Sequence, residues 1–381
     1  LQHIAYAGQA RLKEEMVREA LERIGKFVAP PIRPIIPADP VWHYRNKVLF
    51  PIRQMGPKVE IGFFRKDSHQ LVPVHDCRIQ IEPIMAIANH IRDIIQADRG
   101  VPIYDEATHR GILRHLFIRI APRSREIIIG LVVRSHHPEL SRLANRIGSE
   151  VAKLLRDEHP EVALAGLGII HNPSRTNAII TETGFQEETI IGQNFLHETF
   201  HGISYRFYLS SFFQVNPFQT QILIDELSRL LDTPVQAKTA LDLYCGAGLF
   251  SLQLARRGIT VWGVEENPAS IANARFNASS NHLANANFIA GRVEESSEKL
   301  PPAPDLIVLD PPRKGCQPEV IAAMKRLAAK QIIYISCNPA SLARDLKMLL
   351  EEGEYGLESL QPVDMFPQTI HVETIAALRR R

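Results

Sequence analysis

The sequence predicts an α/β protein in which a doubly wound, mainly parallel sheet occupies the second half of the chain and an α+β domain precedes it. Three observations carry this. From Pro217 onward, short β-branched runs alternate strictly with helical spacings. Before that point hairpins and helices are mixed, with no internal repeat. The texture changes to this alternation at Pro217, and the domains are read as 1–200 and 201–381.

The totals bound the class. With 381 residues, 45% hydrophobic and 23% charged, the chain has the profile of an ordinary globular protein with room for two or three domains. Lys and Arg number 44 against 42 Asp and Glu, a net charge of +2, so only local clustering could argue for a nucleic-acid partner. Cys77, Cys245, Cys316 and Cys337 are too widely spaced for a disulfide framework and fit a reducing cytoplasm. There is no signal peptide and no apolar run long enough to span a bilayer, and neither a membrane nor an obligate protein partner is expected. The chain starts at Leu1 rather than Met, close to an ordered element, which reads as a fragment of something longer.

That first element is an amphipathic helix with Leu12, Met16, Ala20 and Ile24, flanked by Val17 and Leu21, as its apolar face. Pro30, Pro31, Pro34, Pro37 and Pro40 then punctuate an extended, stiff spacer. Alternation over 46–54 and 59–65, around Met55-Gly56-Pro57-Lys58, predicts a hairpin. This region carries Arg45, Lys47, Arg53, Lys58, Arg65 and Lys66 against Glu60 and Asp67, interleaved with Trp42, Tyr44, Phe50, Phe63 and Phe64. Basic groups can track phosphates while aromatic faces stack on bases, although a half-buried hairpin with a solvated face produces the same pattern. A helix over 84–97, a hairpin of 116–121 and 126–133, a helix over 138–158 and strands at 164–171, 178–182 and 204–209 complete the α+β part.

The second half reads as helix 217–231, strand 240–243, helix 249–256, strand 260–264, helix 268–279, strands 288–290 and 306–309, helix 318–328, strand 332–335 and a helix from Pro339. In such a sheet, ligands sit beyond the carboxyl ends of the strands, so the turns after strands are where chemistry is sought.

The first of these turns is Asp242-Leu243-Tyr244-Cys245-Gly246-Ala247-Gly248, with Glu265 about 20 residues on, where it can take ribose hydroxyls. The third glycine of the dinucleotide fingerprint is replaced by Ser251, which disfavours a pyrophosphate cofactor and suits a nucleoside without phosphates. In Asp310-Pro311-Pro312-Arg313 two prolines fix a carboxylate, useful for holding a base or cofactor and equally readable as a rigid turn. Gln214 and Asn216 of Phe213-Gln214-Val215-Asn216 offer amide groups to a ligand, or simply a loop and an N-cap. Glu373 heads an apolar strand, either exposed at its end or buried as a general base, and His371 reads at least as well as a core or turn residue.

Cys337 lies between a buried strand and the helix that Asn338 and Pro339 begin. A thiol there can be a packed core group or a nucleophile whose thiolate the helix dipole stabilises; alone, the stretch favours neither.

Taken together, Phe213-Gln214-Val215-Asn216, Asp242-Leu243-Tyr244-Cys245-Gly246, Gly263-Val264-Glu265, Asp310-Pro311-Pro312-Arg313, Ser336-Cys337-Asn338-Pro339 and His371-Val372-Glu373 resemble the signature of the RNA 5-methyluridine methyltransferases. Tyr44-Arg45-Asn46-Lys47, Gly62-Phe63-Phe64 and His75-Asp76-Cys77 resemble the family's central domain. The resemblance implies a class I S-adenosylmethionine-dependent methyltransferase fold and methylation of uridine C5 in RNA, with 23S ribosomal RNA as the expected substrate and uridine 54 of transfer RNA as the alternative. It assigns Cys337 as nucleophile, Glu373 as base, and Gln214, Tyr244, Gly246, Glu265 and Asp310 to S-adenosylmethionine. It also implies a 4Fe-4S cluster with Cys77 as one ligand; the other three are absent, Leu1-Gln2-His3 resembles the stretch after the third, and 1–80 is read as the remnant of that region. A non-catalytic RNA-binding or folding factor on the same fold is the contrasting reading.

Overall fold

The computed structural model describes residues 1–174, 186–209, 211–232, 237–296 and 300–381. The chain forms two compact units, and the division differs from 1–200 and 201–381. One unit comprises Leu1–Val41, Phe200–Tyr205 and Phe212–Arg381, and the other Trp42–Thr199 and Arg206–Ser211. The N-terminal 41 residues therefore belong with the doubly wound sheet.

In chain order, helix α1 (Tyr6–Arg23) comes first. The second unit then contributes β1 (Lys47–Met55), β2 (Lys58–Phe64), β3 (Leu71–Pro73), α2 (Ile84–Ala97), β4 (Leu113–Ala121), β5 (Glu126–Val133), α3 (Leu140–Glu158), β6 (Ala163–His171) and β7 (Gln186–Gly192). These strands form one sheet in the order β3-β2-β1-β4-β5-β6-β7. Ile84, Ile87 and Ile91 of α2 and Leu143, Ile147 and Val151 of α3 are buried in its core with Ile118, Ile129 and Leu131 of the sheet. The i, i+3, i+4 spacing of those helical residues supplies the apolar stripe that covers a sheet face. The strand expected at 178–182 lies outside the described residues. The pair β8 (Phe195–Phe200) and β9 (Ile203–Tyr208) follows, with its tip assigned to the first unit.

The first unit resumes with α4 (Pro217–Leu231), β10 (Thr239–Leu243), α5 (Leu249–Arg256), β11 (Thr260–Glu265), α6 (Pro268–Ser280), β12 (Ala286–Ala290), α7 (Val293–Ser296), β13 (Leu306–Leu309), α8 (Pro318–Leu327), β14 (Gln331–Ser336), α9 (Pro339–Leu350), β15 (Tyr355–Val363) and β16 (Glu373–Arg380). Its sheet runs β12-β11-β10-β13-β14-β16-β15, parallel from β12 to β14 and antiparallel at β16 and β15. Strand order reverses between β10 and β13, so the turns after Leu243 and Leu309 flank the switch point where such sheets bind ligands.

Two expectations about the N-terminal segment are corrected. The buried face of α1 is Gln9, Lys13, Val17 and Leu21, whereas Leu12, Met16 and Ile24 are exposed. Polar Gln9 and Lys13 turn inward because partners await them: Lys13 Nζ meets Asp364 Oδ1 at 2.5 Å with both side chains fully buried, and it also donates to Phe366 O at 2.9 Å. Gln9 and Gln368 exchange two hydrogen bonds, of 2.8 and 3.0 Å. The proline-rich stretch, likewise, is no free spacer. Ile32 and Ile36 form parallel bridges to Leu360 and Val363 along the outer edge of β15, with Arg33 N donating to Leu360 O at 2.8 Å and Ile36 N to Pro362 O at 2.9 Å. Prolines fit such an edge, where alternate donors are not needed by the sheet.

Candidate active site

The expected residues of the first unit converge at the carboxyl ends of β10, β11, β13 and β14 and the start of β16. The β10 turn holds Tyr244 at φ 64°, Gly246 at φ 53° and Gly248 at φ 88°. At Gly246 a Cβ would meet nothing within 4 Å, so the backbone here borders open space. The Gly246 N–H donates to Glu265 Oε2 at 3.1 Å, and Asn267 N donates to Glu265 Oε1 at 2.9 Å, which fixes the carboxylate at the tip of β11. An acid held in this way beside a glycine turn fits the ribose hydroxyls of a nucleoside, and the open strip over Gly246 admits its backbone approach.

Beneath the turn Asp242 is buried. Ser251 Oγ donates to its Oδ2, while Oδ1 has no hydrogen-bond partner among the described residues. Burial pushes its carboxyl up to about 7, against the opposing hydrogen bonds of Ser251. The residue that replaces the third glycine of the dinucleotide pattern thus steadies this acid. Asp242 belongs to the site although sequence reasoning took it only as part of a motif.

Across the switch point Asp310 follows β13, and Gln214 Nε2 donates to its Oδ2 at 3.4 Å. Asn216 is the N-cap of α4, its side chain accepting from Gln219 N at 3.2 Å, and its Nδ2 donates to Met365 O at 2.9 Å. Asn216 is thus the N-cap that the sequence offered, and Gln214 reaches the carboxylate of the acidic turn.

Cys337 is half-buried one residue beyond β14, and Asn338 caps α9 by accepting from Ala340 N at 3.1 Å. The Asp310-Pro311-Pro312-Arg313 turn is tied to this cap, since Asn338 Nδ2 and Ser341 Oγ both donate to Arg313 O, at 2.9 and 3.1 Å. Below, buried Asp345 accepts from Tyr334 Oη at 2.6 Å and from Cys316 N at 2.8 Å, with Arg344 at 2.7 Å. Tyr334, which looks like one more apolar residue of a strand, is the link that ties β14 to α9.

Glu373 is 3% exposed, which removes the solvent-exposed alternative. Burial first, and the nearby Asp310 second, raise its carboxyl well above the ordinary range, and Arg313 opposes the shift. Asp310 is itself raised, by burial and then by Asp242. The Arg313 guanidinium lies 3.0 Å from His371 Nε2 and 3.1 Å from Nδ1, so His371 flanks the site as a partner of Arg313. Sequence reasoning missed Arg313 as a participant; its position after the two prolines of the acidic turn was the available signal.

The thiol state corrects one expectation. The helix after Cys337 was expected to keep its sulfur ionised, but burial pushes the thiol up to about 11, with Glu373 and then Asp310 adding to the rise. Arg313 lowers it through its charge and a hydrogen bond, and does not win. A dipole stabilisation of the order of ~1 kcal/mol is less than one unit of pKa and is overcome by two nearby acids and burial.

Cys77 is half-buried in the second unit, whereas Cys245, Cys316 and Cys337 all belong to the first. Among the described residues no group of three or more His, Cys, Asp or Glu side chains is placed to hold a metal ion. The residues present do not fit a four-cysteine cluster, and no chemistry is derived through one. Among the described residues no helix is long and apolar enough to cross a membrane.

Known proteins resemble this chain in sequence and in fold. Residues 174–381 match the family model described as tRNA (Uracil-5-)-methyltransferase. The chain is 40% identical over 383 residues to an uncharacterized RNA methyltransferase of Gloeobacter violaceus, covering 100% of this chain and 79% of that protein. It is 36% identical over 386 residues to another of Halalkalibacterium halodurans, covering 99% and 80%. Among solved structures it is similar to the Pyrococcus abyssi tRNA (uracil-54, C5)-methyltransferase in complex with S-adenosyl-L-homocysteine, with a TM-score of 0.77, 25% identity, and coverage of 99% of this chain and 84% of that one.

Proposed function

The chain belongs to the RNA (uracil-5-)-methyltransferase family and is an S-adenosylmethionine-dependent RNA methyltransferase, and from that premise we propose that it methylates C5 of a uridine in 23S ribosomal RNA through a covalent adduct of Cys337. The observation that carries this reading is the placement of the half-buried Cys337 thiol with the buried Glu373 and Asp310 carboxyls and the Arg313 guanidinium all acting on it.

S-adenosylmethionine supplies an electrophilic methyl on a sulfonium. Glu265 would hold its ribose, with Tyr244, Gly246, Gln214 and Asp310 along the rest of its seat. Uracil C5 is a weak nucleophile until the 5,6 double bond is opened. The Cys337 thiolate bonds to C6, the electron pair of that double bond passes to C5 as an enolate, and C5 takes the methyl. Glu373 then removes the C5 proton, the double bond re-forms, and the C6–S bond breaks to return the thiolate. Arg313 offsets the negative charge that gathers at the thiolate, and the target base must leave its stack to enter.

A second reading, methylation of uridine 54 in transfer RNA, is favoured by the descriptions of the matching family and of the Pyrococcus abyssi structure. Mass spectrometry of ribosomal and transfer RNA from a deletion strain tests both. Loss of a 5-methyluridine from 23S ribosomal RNA is the expected result, loss from transfer RNA supports the second reading, and loss from neither overturns the activity. Reading the chain as a non-catalytic RNA-binding factor predicts that Cys337→Ala restores the wild-type phenotype in that strain.

A further inference from the structure

Among the described residues of the second unit, Arg45 and Lys47 form no ion pair with a carboxylate. Arg45 and Lys47 stand two residues apart at the entry to β1, and Lys47 is the cross-strand partner of Arg119 on β4. Two residues apart on an extended chain means the same face. The Lys47 ammonium makes no hydrogen bond or ion pair among the described residues; the Phe117 ring lies 6.0 Å from it. Burial first, then the charges of Arg119 and Arg45, drop it to about 7. Arg45 Nε donates to Lys47 O at 3.1 Å, and the groups that favour its charge are Tyr44 and Cys77, not a carboxylate. Gln80, joined to Arg45 by a backbone bridge, is 2% exposed, and neither its Nε2 nor its Oε1 is hydrogen-bonded among the described residues.

Like charges gathered in a half-buried place raise the free energy of the empty protein, and an anion with several oxygens relieves them together. Lys47 and Arg45 are each only partly buried, so an anion can reach them, while Arg119 is fully enclosed behind and acts through its field. A phosphodiester suits two adjacent donors better than a carboxylate does, because its oxygens point tetrahedrally to separate partners. We propose that Arg45 and Lys47, backed by Arg119, seat a backbone phosphate of the RNA on the second unit. This rests on RNA being the substrate. It assigns a phosphate-positioning role to a hairpin whose basic composition was equally compatible with a solvated face.

The test is the salt dependence of binding, measured with the full chain and two labelled transcripts, a 23S ribosomal RNA fragment and an unmodified transfer RNA. Each phosphate contact contributes about 0.7 to 0.9 to the slope of log K against log salt. Lys47→Met and Arg45→Met are expected to weaken binding about tenfold at low salt and to reduce the slope by about that amount. Lys47→Arg should keep the slope, and S-adenosylmethionine affinity should be unchanged in all three. Thermal melting confirms that each variant is folded, and if a Met variant is not, Lys47→Gln and the Arg rescue carry the comparison. Folded variants with the wild-type slope overturn the inference, as does a site that binds inorganic phosphate while RNA binding is indifferent to it. A wild-type chain that binds neither transcript overturns instead the proposed function, which keeps the two failures apart.

Discussion

Cys337 follows Ser336 and Glu373 precedes Thr374, the pair that ends the β14–β16 ladder. Cross-strand neighbours in such a ladder lie about 5 Å apart, so a nucleophile and a carboxyl are brought to the same end of it. The Glu373 carboxyl raises the thiol and Arg313 lowers it. At pH 7 a thiol near 11 is ionised in about one molecule in ten thousand. Alkylation of Cys337 by iodoacetamide, followed by peptide mass spectrometry, should therefore rise about tenfold per pH unit up to about 11. Glu373→Gln should move that midpoint down and Arg313→Met should move it up. A midpoint near that of a free thiol, unmoved by either change, would refute the electrostatic account.

The two halves of the reaction separate by mutation. Cys337→Ala should abolish methylation and adduct formation while leaving S-adenosylmethionine binding intact. Glu373→Gln should form the methylated adduct and fail to release it, with turnover reduced about 10²- to 10⁴-fold. Denaturing gels of enzyme incubated with radiolabelled RNA show the adduct as a shifted band. Rapid turnover by Glu373→Gln without accumulation would remove Glu373 from the base role.

Gly246→Ala separates folding from cofactor binding. An L residue at φ 53° is strained by roughly 1 kcal/mol, and the added methyl meets no protein atom. The melting temperature should fall by only a few degrees, whereas S-adenosylmethionine affinity, measured by calorimetry, should drop more than tenfold because the methyl projects into the ligand's space. Equal affinity would place the cofactor elsewhere.

Lys13→Met leaves Asp364 buried without its ion, and the cost should be about 3–5 kcal/mol in chemical denaturation. The Lys13→Met/Asp364→Leu pair should recover much of it. Because the Asp364–Gln368 stretch leads into His371 and Glu373, the single variant should also lose turnover more than RNA affinity. A loss below 1 kcal/mol would show that the pair contributes little.

What the sequence made legible was local. The alternation after Pro217, the glycine turn, the proline-fixed acid and the Ser336-Cys337-Asn338-Pro339 turn each carry their signal within ten residues, and the three turns follow the neighbouring strands β10, β13 and β14. The missed features are those whose partners are remote. Lys13 and Gln9 looked like the polar side of a helix because Asp364 and Gln368 are 351 and 359 residues away. The thiol's raised pKa likewise depends on Glu373 and Asp310, which only the sheet brings near. The assignment of Leu1–Val41 to the first unit follows the same rule, since its bonds to β15 do not exist until that strand is made.

That last relation bears on how the chain acquires its structure during synthesis. The second unit is almost continuous in sequence and can close its sheet as it emerges. Helix α1 cannot complete its buried Lys13 pair until Asp364, 351 residues later, has been made. At 5 to 20 residues per second the interval between Lys13 and Asp364 is roughly 20 to 70 s. Throughout it Lys13 has no Asp364 carboxylate to pair with. A chain that stops before Asp364 lacks both that partner and Glu373, and so has no complete active site.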